Sequence, residues 1–163
     1  MKFAFKWFPA IALVALGLAW LSGQVCSLLG YEVPPQDLVK MFTNPAVPWT
    51  VKAKCAIGAV IVCPVVEELV FRGGLFKLVC RRWLKFGFLP AALGTSVLFA
   101  AAHYFAGGVA TLVATFLPLA FLGAAFAWTY EKTGKLHAAI TVHFLFNLLN
   151  MALCLCFPEL GQP

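Results

Sequence analysis

Long apolar segments alternate with short polar ones along the whole chain. Residues 7–31 contain no charged side chain, and residues 136–158 form a similar segment, each long enough for the roughly 20 residues that cross a bilayer. Residues 86–130 lack Asp, Glu, Lys and Arg and could form two spans, with a turn at Gly107–Gly108. The pattern predicts helices at about 7–30, 52–76, 89–106, 109–130 and 136–157.

The composition indicates that most of the protein surface faces lipid. Hydrophobic residues make up 63% of the 163 residues and charged residues only 11%, whereas soluble domains carry about 25% charged residues. These proportions exclude an ordinary cytosolic enzyme, a disordered chain and a nucleic-acid module. We expect an all-α, polytopic membrane helix bundle of about five transmembrane helices, forming a single membrane domain over residues 1–163. Residues 1–49 are predicted to form the first helix and an external loop with an amphipathic turn around Gln36–Met41.

The placement of the cations predicts the orientation in the membrane. The presumed inner segments hold Lys2, Lys6, Lys77, Arg81, Arg82, Lys85, Lys132 and Lys135, and the outer ones hold only Lys40, Lys52 and Lys54. Because cytoplasmic loops carry an excess of Lys and Arg, we expect a multi-pass protein of a bacterial cytoplasmic membrane with its N-terminus inside. The basic clusters are expected to contact membrane lipids, and nucleic acid is not an expected partner.

Charged residues interrupt a further apolar segment, at about residues 55–80. An ionisable group at membrane depth costs about 2.5–3.5 kcal/mol on insertion scales, so it marks a candidate functional site. Glu68 and Arg72 are spaced i,i+4 with the acid first, the favourable order for an ion pair. Glu67 lies about 100° around the helix and must face another element. Pro64 lies just before the two glutamates and, because it lacks an N–H, is expected to free the carbonyl of Val60.

Two later segments each carry a histidine with an i,i+4 neighbour. His103 follows Phe99, and His143 precedes Asn147. Water activation needs a base, often with a second proton-sharing group, and Glu67 with His103 fits that role. Amide hydrolysis also needs donors aimed at the oxygen that becomes negative, and His143 with Asn147 fits that role.

Helix lengths place these histidines at different depths. His103 lies some 20 Å along a helix that enters from the inner face, whereas His143 lies about 12 Å from the same face. His103 and His143 can lie at the same depth only if residues 84–93 are partly buried in the membrane or if the helices tilt.

Other interpretations of the polar cluster remain open. Such groups can hold helices together without chemistry, as in a non-catalytic membrane scaffold or an immunity-like protein. A small transporter is a third possibility, although the chain has no inverted repeat. His137 lies off the face of His143 and is expected to be structural.

Three motifs carry a resemblance to a known family. They are EExxxR over residues 67–72, FxxxH over 99–103 and HxxxN over 143–147. In this order on separate apolar segments, they resemble the CAAX protease and bacteriocin-processing (CPBP) family of intramembrane endopeptidases, which includes the type II CAAX prenyl endopeptidases. The resemblance spans about residues 50–150 and implies a catalytic core over residues 50–157.

The resemblance also implies a role for each motif residue. Glu67 and His103 would activate the attacking water, His143 and Asn147 would bind the oxyanion, and Glu68, Arg72 and Phe99 would support them. It implies a membrane-associated peptide or protein substrate, and the shortness of the chain leaves oligomerisation possible.

No cofactor is expected, since a water can be activated by the base and its partner alone. Zinc held by Glu67, His103 and His143 is the alternative.

Overall fold

The computed structural model describes residues 1–32, 37–104 and 108–157, and their regular secondary structure is entirely helical. The elements are α1 (Lys2–Leu28), α2 (Asp37–Thr43), α3 (residues 49–83), α4 (Phe88–Tyr104), α5 (Val109–Thr133) and α6 (Leu136–Cys156). The expected all-α bundle is confirmed.

All five predicted long helices are present, and the last two begin at residues 109 and 136 as predicted, whereas residues 105–106 of the predicted 89–106 helix lie outside the described residues. The first begins at Lys2, next to the N-terminus, and the second covers residues 49–83 rather than 52–76. The predicted amphipathic turn corresponds to α2, although Gln36 lies outside the described residues. Gly107 of the predicted turn also lies outside them, and Gly108 is extended immediately before α5.

Three helices are long and apolar enough to cross a membrane: α1, α5 and α6. The shorter α4 is also apolar, over Phe88–His103. On α1, Leu13 and Trp20 are 73% and 67% exposed. Apolar side chains exposed on helices of this length belong against lipid rather than water. The protein is therefore an integral membrane protein.

Helix α5 lies at the centre of the bundle and packs against α1, α3, α4 and α6. Its Phe126 is buried, as are Phe99 of α4 and Phe76 of α3. At Gly123, a Cβ atom would lie only 3.0 Å from the backbone Cα of Ser96, so glycine allows α4 to approach closely. The helix ends at Gly134, whose φ of +64° suits glycine at a helix C-terminus.

Helix α3 changes its hydrogen-bonding pattern along its length. It is α-helical over Trp49–Ile57 and Cys63–Glu68, and π-helical over Gly58–Val62 and Leu69–Trp83. π-Helical segments inside α-helices often occur at functional sites. Here they flank the single stretch that ends with the two adjacent glutamates.

The π-helical segment before Pro64 leaves the carbonyl of Ala59 without a backbone donor. The Cys63 N–H donates to Gly58 O, an i→i−5 bond. In this register the next carbonyl, Ala59 O, would need an N–H from residue 64, and proline has none. The expectation for Val60 O stays a prediction, and the i→i−5 bond adds Ala59 O as a carbonyl that Pro64 leaves without a backbone donor.

Candidate active site

A buried polar network joins α3 to α6. Glu68 Oε1 lies 3.1 Å from Arg72 Nη1, and both side chains are fully buried. Within the part of the chain that the structure describes, Nη1 makes no hydrogen bond, so this contact is an ion pair rather than a hydrogen bond. His143 Nδ1 lies 3.0 Å from the same Glu68 oxygen. The structure thus contains the ion pair expected from the i,i+4 spacing and adds a histidine that the spacing does not indicate.

Arg72 also connects this network to the centre of the bundle. Its Nη2 donates to Gly123 O of α5 at 2.8 Å. The guanidinium carbon lies 4.8 Å from the ring centre of Phe99 and 5.2 Å from that of Phe126. A buried cation held by a carboxylate, a carbonyl and two aromatic rings is compensated on several sides. Arg72 therefore fixes the position of Glu68 relative to α4 and α5.

Glu67 faces the two histidines on the neighbouring helices. Its Oε2 lies 3.9 Å from His103 Nε2 of α4 and 3.7 Å from His143 Nε2 of α6. Both distances exceed that of a direct hydrogen bond, and Oε2 is buried with no hydrogen-bond partner among the described residues. A carboxylate oxygen and two imidazole nitrogens from three helices therefore converge, although simple helix lengths place the histidines at different depths.

Both imidazole rings are oriented through Nδ1. His103 Nδ1 lies 2.8 Å from Phe99 O, and His143 Nδ1 lies 3.0 Å from Glu68 Oε1. A carbonyl accepts, and so does a carboxylate paired with arginine, so each Nδ1 carries the hydrogen. In a neutral ring Nε2 is then an acceptor. Both rings thus direct Nε2 towards Glu67.

The side chain of Asn147, on α6, is hydrogen-bonded to the backbone of α3. Its Nδ2 donates to Ala59 O at 2.9 Å, across the contact between α6 and the π-helical segment. An amide nitrogen carries two hydrogens, so one N–H remains available for a second acceptor. The structure therefore brings His103 and His143 each within 4 Å of Glu67 Oε2. It joins Asn147 to the backbone of the helix that carries Glu67.

Aromatic rings enclose the histidines. The rings of Phe99 and His103 are 4.8 Å apart, and Phe126 is stacked on His143 at 4.5 Å with an interplanar angle of 18°. Phe99 was predicted from its motif, whereas Phe126 was not. The sequence contains 16 phenylalanines, and nothing local distinguishes Phe126 from the others.

Glu67, His103 and His143 are also the three side chains of the zinc alternative. Within residues 1–32, 37–104 and 108–157, no group of three or more His, Cys, Asp and Glu side chains is placed to hold a metal ion. Both the absence of a cofactor and the zinc alternative stay predictions.

The part of the chain that matches a known protein family is the part that carries the site residues. A family profile described as type II CAAX prenyl endopeptidase Rce1-like matches residues 49–149. The chain belongs to this family. The matched range contains α3, α4, α5 and most of α6, and with them every polar residue of the site. No curated protein and no solved structure gives a significant match.

Membership in the Rce1-like family confirms the resemblance drawn from the three motifs. It implies, in general terms, a CAAX-type endopeptidase that acts in the membrane on a peptide substrate. The Rce1-like range begins at residue 49, so α1 and α2 lie outside it.

Proposed function

We propose that this protein is an intramembrane endopeptidase in which Glu67 and His103 activate a water molecule. The observation that carries the proposal is the convergence of both histidine Nε2 atoms on Glu67 Oε2, at 3.9 and 3.7 Å. Polar groups held slightly beyond direct hydrogen-bond distance are commonly bridged by water. A water in this position would donate one hydrogen to Glu67 and the other to His103. Its lone pair would then be free to attack a carbonyl carbon.

Hydrolysis then proceeds in two balanced steps. Attack by the water forms a C–O bond and transfers one proton to Glu67, which leaves negative charge on the former carbonyl oxygen. Collapse of this intermediate breaks the C–N bond, and Glu67 returns the proton to the departing amine. The products are a carboxylic acid and an amine, and the acid then loses the second water proton to the amine or to solvent.

His143 and Asn147 would stabilise the oxyanion. The Asn147 N–H that is not used by Ala59 is available as a donor. His143 donates from Nε2 only when its ring carries both protons, with Nδ1–H directed to Glu68. Glu68 and Arg72 would then support catalysis by orienting this ring.

We further propose that no metal takes part, since a base and a proton-sharing partner are sufficient for this chemistry. Elemental analysis of active, purified protein tests this point separately. One zinc per chain, together with loss of activity on chelation, would replace the base mechanism with a metal-assisted one.

The central experiment measures cleavage of a membrane-tethered peptide ending in a CAAX-type sequence, with and without a prenyl group. Glu67→Gln keeps the size of the side chain and removes its basicity. We expect activity to fall by about 10²–10⁴-fold, with an unchanged melting temperature in detergent. Glu32→Gln is the matched control, because Glu32 is exposed outside the helices. Full activity of Glu67→Gln would refute the proposed mechanism.

A non-catalytic scaffold is the competing function, and one observation favours it. The Asn147–Ala59 bond joins two helices, as purely structural polar contacts do. This alternative predicts that His103→Ala and Asn147→Ala lower the melting temperature and that the unmodified protein cleaves no peptide.

A further inference from the structure

The position of the Asn147 amide depends on an acceptor that a helical backbone normally uses for itself. In a regular helix the carbonyl of Ala59 would receive an N–H from four or five residues further along the chain. Neither donor is available. The Cys63 N–H donates to Gly58 O, and Pro64 has no N–H.

The side chain of Asn147 takes the place of the missing donor. Its Nδ2 lies 2.9 Å from Ala59 O. Because a carbonyl only accepts, this contact also determines which end of the amide faces α3. The nitrogen is therefore held at Ala59, and the direction of its second N–H is restricted.

We propose that Pro64 is a positioning residue for Asn147: by withholding a backbone hydrogen, it reserves Ala59 O for the amide and so orients the remaining N–H. The proposal rests on the oxyanion role proposed above for Asn147. It extends that role to a buried proline that touches no reacting atom.

The position of Pro64 in the chain is consistent with a role in orienting Asn147. It is in the first turn of the α-helical stretch Cys63–Glu68, directly after the π-helical segment. The stretch that starts at Cys63 also carries Glu67. One short segment therefore positions both Glu67, the proposed base, and, through Ala59 O, the side-chain amide of Asn147 on α6.

The test is Pro64→Ala, which restores an N–H that can donate to Ala59 O. We expect kcat to fall by at least about tenfold with little change in KM, since an oxyanion contact acts in the transition state. A misplacement of about 1 Å can cost roughly 10²-fold. The matched control is Pro118→Ala, since Pro118 is also buried within a helix. Equal kcat values for Pro64→Ala and the unmodified protein would overturn the proposal.

A double-mutant cycle separates positioning from a general loss of stability. Once Asn147→Ala has removed the amide, Pro64→Ala should cause no further fall in kcat. Independent, multiplicative losses would show that Pro64 acts through something other than Asn147.

A second measurement does not depend on activity. The sequence contains only three asparagines, Asn44, Asn147 and Asn150, so protein labelled with 15N-asparagine gives three side-chain amide signals. Asn147→Ala identifies the signal of Asn147 by its loss. We expect Pro64→Ala to shift that signal and leave the Asn44 signal in place. An unshifted Asn147 signal would refute the proposal, whereas a shifted signal with an inactive unmodified protein would refute only the catalytic role of Asn147.

Discussion

Replacing Arg72 with methionine should lower the free energy of unfolding more than the same replacement in an arginine–glutamate pair at the surface. Arg72 and Glu68 are fully buried and 3.1 Å apart. Arg72→Met keeps a long apolar side chain and leaves the Glu68 carboxylate without its cation. Breaking a buried pair in this way costs about 3–5 kcal/mol, because a buried charge is left uncompensated. The bond to Gly123 O at 2.8 Å is lost as well.

A second arginine–glutamate pair in the same protein provides the control. Arg81 Nη2 lies 2.9 Å from Glu131 Oε1, and these side chains are 33% and 34% exposed. Because water and ions screen such a pair, Arg81→Met should change the free energy of unfolding by about 0–1 kcal/mol. The two variants therefore compare the same chemistry at two depths of burial.

The assay is reversible unfolding in mixed micelles by titration with a denaturing detergent, followed by helical circular dichroism. The double variant Glu68→Gln, Arg72→Met removes the charge that the single variant leaves behind. It should therefore be more stable than Arg72→Met alone. The reasoning would be refuted if Arg72→Met and Arg81→Met lost the same free energy, or if the double variant were the less stable one.

Two further predictions concern packing and histidine function. Gly123→Ala should lower stability by about 1–3 kcal/mol, because its Cβ would meet the Ser96 backbone at 3.0 Å. Gly94→Ala, with nothing within 4 Å, should be neutral or stabilising by up to about 1 kcal/mol. Thermal melting of both variants checks this, and equal effects would contradict it. His143→Ala should abolish peptide cleavage and His137→Ala, at an exposed position, should retain it; equal losses in the cleavage assay would exclude a specific role for His143.

Local sequence spacing was sufficient to predict the helices and part of the site. The three longest apolar helices, α1, α5 and α6, follow from the lengths of their apolar segments, because a bilayer requires spans of a set length. The Glu68–Arg72 ion pair follows from i,i+4 geometry within one helix. The three motifs were sufficient to indicate the family that the profile match confirms. All of these features depend on residues that are close together in the chain.

The contacts between helices required the tertiary structure. Glu68 accepts from His143, Arg72 donates to Gly123 O, and both histidines face Glu67. The axial positions of residues on separate helices depend on how far each helix is shifted and tilted, and hydropathy carries no information about either.

The sequence likewise did not predict the π-helical segment of α3. Pro64 indicates that some carbonyl lacks a donor, but i→i−4 and i→i−5 bonding assign different ones. The bond from Asn147 to Ala59 follows from the second pattern. The sequence by itself therefore determined which polar groups interrupt the apolar segments and on which helices they lie. Only the tertiary structure decided which of them meet, because partners on different helices are chosen by packing and backbone register rather than by distance along the chain.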